Sequence, residues 1–342
     1  MRQTRNATIK DVAEKANVSL MTVSRVVNGS PKVREETRKL VLAVIDELNY
    51  APNLTARSLA KSEQTRIAIM YGTQTSAYLS EFLLGSLDAA TRAHAQLNVV
   101  KWEDGGPEAA RRSLDQLIES NPTGVVLPPP FSEQSAIFER LKREGIPAVA
   151  VSSGRPRDGL SSVRMNGRAA AQEMTEYLLK LGHRRLGFVN GPPNQTASAE
   201  RLAGFQAAVD AVAGAEALVA PGDFSFEAGR AAAETLLDAP NPPTAIFAGN
   251  DDMAAGVMTV AHRRGLVMPG QLTVVGFDDT AVATTLWPAL TTIRQPISEM
   301  AAAAIRLLLD EIETGRAGGE TGQTDLIVPY AMVERLSASA PT

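Results

Sequence analysis

The sequence predicts an all-α headpiece with a helix-turn-helix and a short hinge helix, followed by a larger two-lobed α/β body. Three observations carry this. Apolar residues between Ile9 and Leu48 recur at helical spacing in three short runs. From Arg66 onward, short apolar strands alternate with amphipathic helices, the pattern of a parallel sheet covered by helices. At Arg168 that pattern starts again.

The first run has Ile9, Val12, Ala13 and Ala16, and the second Val18, Val23, Val26 and Val27. Thr8 followed by Asp11 suits a capping box, Ser19 stands just before the second helix, and Asn17 can take the left-handed conformation between them. A helix laid in a major groove reads bases with its first residues, so Leu20, Met21 and Arg25 are the candidate base readers. Thr22, Ser24 and Asn28 suit phosphates. A helical hairpin with a merely polar outer face would show the same spacing.

The segment Ile9 to Asn28 meets the pattern Ile-x-Asp-Val-Ala-x-x-Ala-x-Val-Ser-x-x-Thr-Val-Ser-Arg-x-x-Asn. In this it resembles the DNA-binding headpiece of the LacI/GalR family of bacterial regulators. The resemblance implies contacts to double-stranded operator DNA from Thr8, Ser19, Leu20, Met21, Thr22, Ser24, Arg25 and Asn28.

A third helix is expected from Glu35 to Leu48, with Leu40, Val41, Val44, Ile45 and Leu48 closing the headpiece core. Its N-cap position holds Arg34 where family members usually place Ser or Thr, leaving Glu35 and Glu36 to compensate through the helix dipole. Beyond Asn49, Pro52 suits the start of one short helix, too short to be stable alone in water. It resembles the family hinge helix, which implies DNA contacts from Asn53, Ala56 and Leu59, with Leu59 wedged into a minor-groove base step. Without DNA this stretch is expected to be a disordered linker. The expected divisions are a headpiece over 1–50, a hinge over 51–64 and a body over 65–342.

In the body, strands are expected at Ile67–Tyr71, Val99–Trp102, Val125–Leu127 and Ala148–Val151, separated by helices Leu79–Ala95, Glu108–Glu119 and Glu133–Arg143. The second lobe adds helices Arg168–Leu181, Glu200–Val212, Phe226–Leu237 and Met253–Arg264, with strands Leu186–Val189, Ala245–Ala248 and Thr273–Phe277. The whole resembles the periplasmic-binding-protein-like sensor domain of the same family. That resemblance implies crossovers near Val163 and Ile293 that return a long helix, Ile297–Ile312, to the first lobe.

Open α/β sheets bind ligands beyond the carboxyl ends of their strands, so polar loops of both lobes should face one cleft. By family resemblance Arg201, Phe224, Asn250 and Asp278 fall at effector-binding positions, with Tyr78 a further contact from the first lobe. An aromatic face with planar polar groups suits a sugar. Taken alone, Arg201 could equally be a structural partner of a buried acid, and Phe224 ordinary core. Pro128 to Pro130, Ser152 to Gly154 and Trp287 rank below these, and Asp251, Asp252 and Asp279 read as helix caps.

The 342 residues include no Cys, which excludes disulfides and thiolate metal sites. No apolar run is long enough to span a bilayer, and the polar, basic start is unlike a signal peptide, so a cytoplasmic protein is expected. Up to Ser62 there are 11 Lys/Arg against 6 Asp/Glu, a local charge of +5, while the rest of the chain carries −9. A basic head on an acidic body fits phosphate binding at one end. His94, His183 and His262 are scattered without metal spacing, and there is no Gly-x-Ser-x-Gly elbow or phosphate-cradling Gly loop. Neither enzyme activity, a cofactor nor a metal is expected. The stretch after Leu336 holds no Leu heptad, so a homodimer is expected. The resulting expectation is a sugar-responsive repressor. A ligand acting as corepressor, or a sugar-binding protein without DNA function, is the alternative.

Overall fold

In the computed structural model, which describes residues 8–27, 33–48, 65–72, 77–103, 105–320 and 322–342, the first helix begins at a formed capping box. The Thr8 N–H donates to Asp11 Oδ2 at 2.7 Å and the Asp11 N–H to Thr8 Oγ1 at 3.3 Å, opening α1 (Ile9–Lys15). Asn17 turns the chain at φ 50°, and the Val18 N–H returns to the Ala13 carbonyl. Ser19 Oγ then accepts the Thr22 N–H at 3.1 Å and caps α2 (Leu20–Val27). The third helix, α3 (Glu35–Glu47), has Arg34 at its N-cap with no side-chain bond, as its sequence implies.

Val12, Ala13, Ala16, Val23, Val26, Val41 and Val44 close a small core among these helices. Leu40, expected on that face, is 51% exposed. It precedes Val41 by one residue, about 100° around a helix, so it cannot share the stripe on which Val41 and Val44 lie. The expectations for Asn28, Asn53, Ala56, Leu59 and the hinge helix fall outside the described residues, as does the side chain of Ser24.

The chain divides into two units, Met1–Gln64 and Thr65–Thr342. The second unit carries two six-stranded sheets. Its first lobe is built from β1 (Arg66–Tyr71), α4 (Ala77–Arg92), β2 (Gln96–Lys101), α5 (Pro107–Glu119), β3 (Gly124–Leu127), α6 (Ser135–Arg143), β4 (Ala148–Val151) and β5 (Ser161–Arg164). The second holds α7 (Gly167–Lys180), β6 (Arg185–Val189), α8 (Thr196–Asp210), β7 (Glu216–Ala220), α9 (Phe226–Leu237), β8 (Ala245–Ala248), α10 (Asp251–Arg263), β9 (Thr273–Asp278), α11 (Ala281–Thr285) and β10 (Thr291–Arg294).

The chain then returns to the first lobe as α12 (Ile297–Arg316) and β11 (Asp325–Ile327), and ends in the second with β12 (Ala331–Val333). The strand orders are β11-β5-β4-β3-β1-β2 and β12-β10-β9-β8-β6-β7, parallel throughout except for β12. Both crossovers read from the sequence are present. A third, between β11 and β12, was not legible there.

Central strands are apolar along their whole length because helices cover both sheet faces: β3, β4, β8 and β9 are fully buried. Edge strands bury little, so β7, which shows one buried residue in five, lacked a strand signal. Ile297, Met300, Ile305 and Leu308 of α12 pack on Ile67, Ile69, Val126, Val149 and Val163 of the first sheet. Helix α6 starts later than expected, because Phe131–Glu133 forms a separate 3-10 turn that aims Glu133 across the cleft.

Helices α7 and α8 meet at Gly204, where an added Cβ would fall 2.1 Å from the Arg168 carbonyl oxygen. Since neither helix backbone can yield cheaply, Gly204→Ala should destabilise the body by about 1–3 kcal/mol. Denaturant unfolding of the two proteins checks this, and an unchanged midpoint would contradict so close an approach.

Candidate effector cleft and DNA-reading face

On the headpiece, Met21 is 62% and Leu20 50% exposed, and Arg25 is exposed, while Val23 between them is fully buried. One face of α2 therefore holds the helix in place, and the other leaves Leu20, Met21 and Arg25 open to solvent. Thr22 is partly exposed, its hydroxyl 2.9 Å from Ser19 Oγ. The Thr8 and Ser19 hydroxyls are committed to capping.

In the body, the carboxyl ends of both sheets enclose a cavity of about 710 Å³ between the lobes. Tyr78, Arg201, Phe224, Asn250 and Asp278 all line it, so the five residues singled out as effector contacts are brought together. Gln295, just past β10, and Ser152, just past β4, join them.

Arg201 is the centre. Its guanidinium lies on the Phe277 ring at 3.7 Å and 5.5 Å from the Phe224 centroid. Nη1 donates to the Gly249 carbonyl, and Nη2 to Gln295 Oε1 at 3.2 Å. Asp278 Oδ1 stands 3.6 Å from Nη2 and, among the described residues, has no hydrogen-bond partner. Burial pushes the Asp278 carboxyl well above the usual carboxylate range, against the pull of Arg201. The same burial lowers the Arg201 pKa, with Asp278 opposing.

From Gln295 the chain of hydrogen bonds crosses the cleft. Gln295 Nε2 donates to Ser152 Oγ at 2.9 Å, and Ser152 Oγ lies 2.7 Å from the Tyr78 hydroxyl. Burial raises the Tyr78 pKa, so the phenol stays protonated. Asn250 is the N-cap of α10: Oδ1 accepts the Met253 N–H at 2.9 Å and Nδ2 donates to the Phe224 carbonyl at 3.0 Å. The Asn250 amide thus fixes Phe224, which sits at φ 69° over Gly191, where a Cβ would meet its ring.

Four expectations change, Asp252 among them, since the N-cap of α10 is Asn250. Asp251 does not cap α10. It is buried, accepting from Thr280 N–H at 2.8 Å and Thr292 Oγ1 at 2.7 Å, and so ties α10 to the loops around β9 and β10. Asp279 is an ion-pair partner of Arg294 at 2.7 Å and Arg335 at 2.6 Å, the N-cap of α11 being Thr280. Trp287 does not cover the cleft: its carbonyl accepts from His262, near the end of α10 remote from the cavity, and it is 76% exposed. Burial raises the Asp252 pKa, with the Ala77 backbone of the other lobe opposing. Gln295 carried no signal in the sequence, since a glutamine after a short strand is indistinguishable from surface.

A basic-headed helix-turn-helix unit followed by a two-lobed body with a lined interlobe cavity defines a ligand-responsive, DNA-binding transcriptional regulator. The chain belongs to the lacI family of bacterial regulatory proteins. The model of that family matches residues 8–53, and a periplasmic binding protein-like domain matches residues 175–338. The chain is similar to the HTH-type transcriptional repressor PurR of Klebsiella pneumoniae, at 33% identity over 340 residues and 98% of both chains. To catabolite control protein A of Priestia megaterium it is 33% identical over 306 residues, 89% of this chain and 92% of that one. Among solved structures it resembles a transcriptional regulator CelR–cellobiose complex (31% identity, TM-score 0.72, 97% and 99% covered). It also resembles a Lac repressor dimer bound to operator and the anti-inducer ONPF (28%, TM-score 0.75, 98% and 100%). These relatives are DNA-binding regulators, and no described helix is long and apolar enough to cross a membrane.

Burial raises the Asp251 pKa to about 7. A carboxyl that holds its proton more tightly when folded contributes stability that is full below its unfolded pKa, near 4, and is lost as pH rises toward 7. Wild type should therefore lose stability relative to Asp251→Asn between about pH 4 and 7. Denaturant unfolding across that range reads the difference, and parallel curves would contradict it.

Proposed function

We propose that the interlobe cavity binds a neutral polyhydroxylated ligand, a sugar, and that its occupancy sets the affinity of the headpiece for operator DNA, the protein acting as a repressor. The observation that carries this is Asp278 beside Arg201 in the cavity wall, its Oδ1 buried and, among the described residues, without a hydrogen-bond partner. A carboxylate and a guanidinium side by side match vicinal hydroxyls, which donate to one and accept from the other. Phe224 offers its face to the apolar C–H side of the same ring. Among the described residues the cavity is lined by a single cation, Arg201, already paired with Asp278, which disfavours phosphorylated or carboxylated ligands. A relative solved with cellobiose supports the choice of sugar.

Ligand binding can shift the lobes only by its differential affinity for their arrangements. Closure has its own contacts: Thr196 Oγ1 donates to Glu133 at 2.6 Å, and Arg155 to Glu200 at 2.7 Å. In this reading residues 1–50 read DNA with Leu20, Met21 and Arg25, residues 51–64 form the hinge, and residues 65–342 sense the ligand. The protein works in the cytoplasm, where operator is, and catalyses no reaction. A homodimer meets the two half-sites of an operator. Exposed Leu84 and Leu87 on α4 and Val99 on β2 supply an apolar face for the second copy.

Arg201→Ala and Asp278→Ala should each weaken sugar binding by about 1.5–3 kcal/mol, roughly ten- to a hundredfold, while operator binding in the absence of sugar is retained. Calorimetry and gel shifts test this together. Wild-type sugar affinity in both variants would place the pocket elsewhere, and sugar that tightens operator binding would make the ligand a corepressor.

Substitution of Met21 should change which operator sequence is preferred rather than lower affinity for all of them, because that side chain faces base edges. Selection from a randomised operator pool decides it, and an unchanged consensus would count against the assignment.

A further inference from the structure

The cleft has two chemically distinct ends. At one end Arg201, Asp278, Gln295, Ser152 and Tyr78 form the connected polar network, next to the crossovers between the lobes. At the other, Trp102 packs on Phe131 with ring centroids 5.4 Å apart and planes tilted by 51°, and both line the same cavity. Ser152 follows β4 and Trp102 follows β2, and in the sheet order β4-β3-β1-β2 those strands are three spacings apart. At the usual strand separation that is about 14 Å. That spacing separates the backbones, and the Trp102 ring leans back toward the β3 end through its contact with Phe131, so a second ring seated on it would extend the ligand beyond the one held by Arg201 and Asp278.

The volume agrees. At about 710 Å³ the cavity lies in the upper part of the range of roughly 300–1,000 Å³ typical of sites for drug-sized ligands, well beyond the needs of one sugar ring. Trp102 keeps part of its surface open, and Gln134 and Gln195 line the same cavity with amide groups suited to hydroxyls. Aromatic rings present one face to packing and leave the other for the apolar side of a sugar.

From this we propose that the effector is an oligosaccharide of at least two rings, one seated in the Arg201–Asp278 network and the next against Trp102. The proposal rests on the sugar reading above and adds the ligand's size and a second subsite. Trp102 then sets specificity for length, and the polar network sets binding of the first ring.

The test is calorimetry on the full chain with matched probes: glucose against cellobiose and maltose, and galactose against lactose. A disaccharide is expected to bind about tenfold or more tightly than its component monosaccharide, and Trp102→Ala to remove that margin while leaving the monosaccharide within about twofold. Trp102→Phe, which keeps a ring, should restore part of the margin, and this separates a lost subsite from a damaged fold. Equal affinities for one ring and two, or disaccharide binding indifferent to Trp102→Ala, would overturn the inference and leave the sugar reading standing so long as Arg201→Ala still weakens binding about tenfold or more. No binding of either length would overturn the sugar reading itself, and this inference with it.

Discussion

A buried guanidinium cannot be left with idle donors, and the body is built around satisfying that of Arg201. Its desolvation is offset by a carbonyl at the end of β8, the amide of Gln295 beyond β10, a carboxylate at the end of β9 and the face of Phe277. The partners come from the ends of three strands, β8, β9 and β10, so the loops of the second lobe are held in one arrangement by one side chain from α8. What the protein itself leaves without a hydrogen bond, among the described residues, is Asp278 Oδ1, 3.6 Å from Arg201 Nη2. That incompleteness is what a ligand can exploit: binding energy is available where a buried polar group still needs a partner.

The surrounding acids set the geometry rather than the binding. Asp251 and Asp279 sit side by side in sequence space with Asp252 and Asp278, and composition makes all four look alike. Environment separates them. Asp251 is spent on Thr280 and Thr292, Asp279 on Arg294 and Arg335, Asp252 interacts with the Ala77 backbone of the other lobe, and Asp278 lines the cavity 3.6 Å from Arg201 with, among the described residues, no hydrogen bond to its Oδ1. Asn250 likewise serves as a helix cap and as the clamp on Phe224 at once. The recognition surface is thus held by residues with structural duties, which preorganises it and limits what a ligand must order.

The two units solve opposite problems. The headpiece has a core of small valines and alanines, and α2 leaves Leu20 and Met21 in solvent. The body buries continuous apolar strands under helices on both faces and places its polar residues at the strand ends, where the lobes meet. Three crossings tie the lobes together, so closure is constrained to motion about the β5, β10 and β11 ends, and the Ser152–Gln295 bond lies beside them.

Local chemistry in the sequence determined most of the headpiece, since capping boxes, the Asn17 turn and a 3.6-residue stripe are short-range features written in consecutive residues. It also determined the alternation of strands and helices and, through matched positions, Arg201, Phe224, Asn250, Asp278 and Tyr78. What only tertiary structure decided depends on partners far away in the chain. Strands β11 and β12, three residues each, exist because β5 and β10 offer edges to pair with, and β7 because β6 does. Gln295 and Ser152 became part of the site because two crossovers bring them within 2.9 Å. Asp251, Asp279 and Trp287 were misread for the same reason: whether a carboxylate caps a helix, pairs with an arginine or pins two strands is settled by neighbours 15 to 56 residues away, which no local pattern encodes.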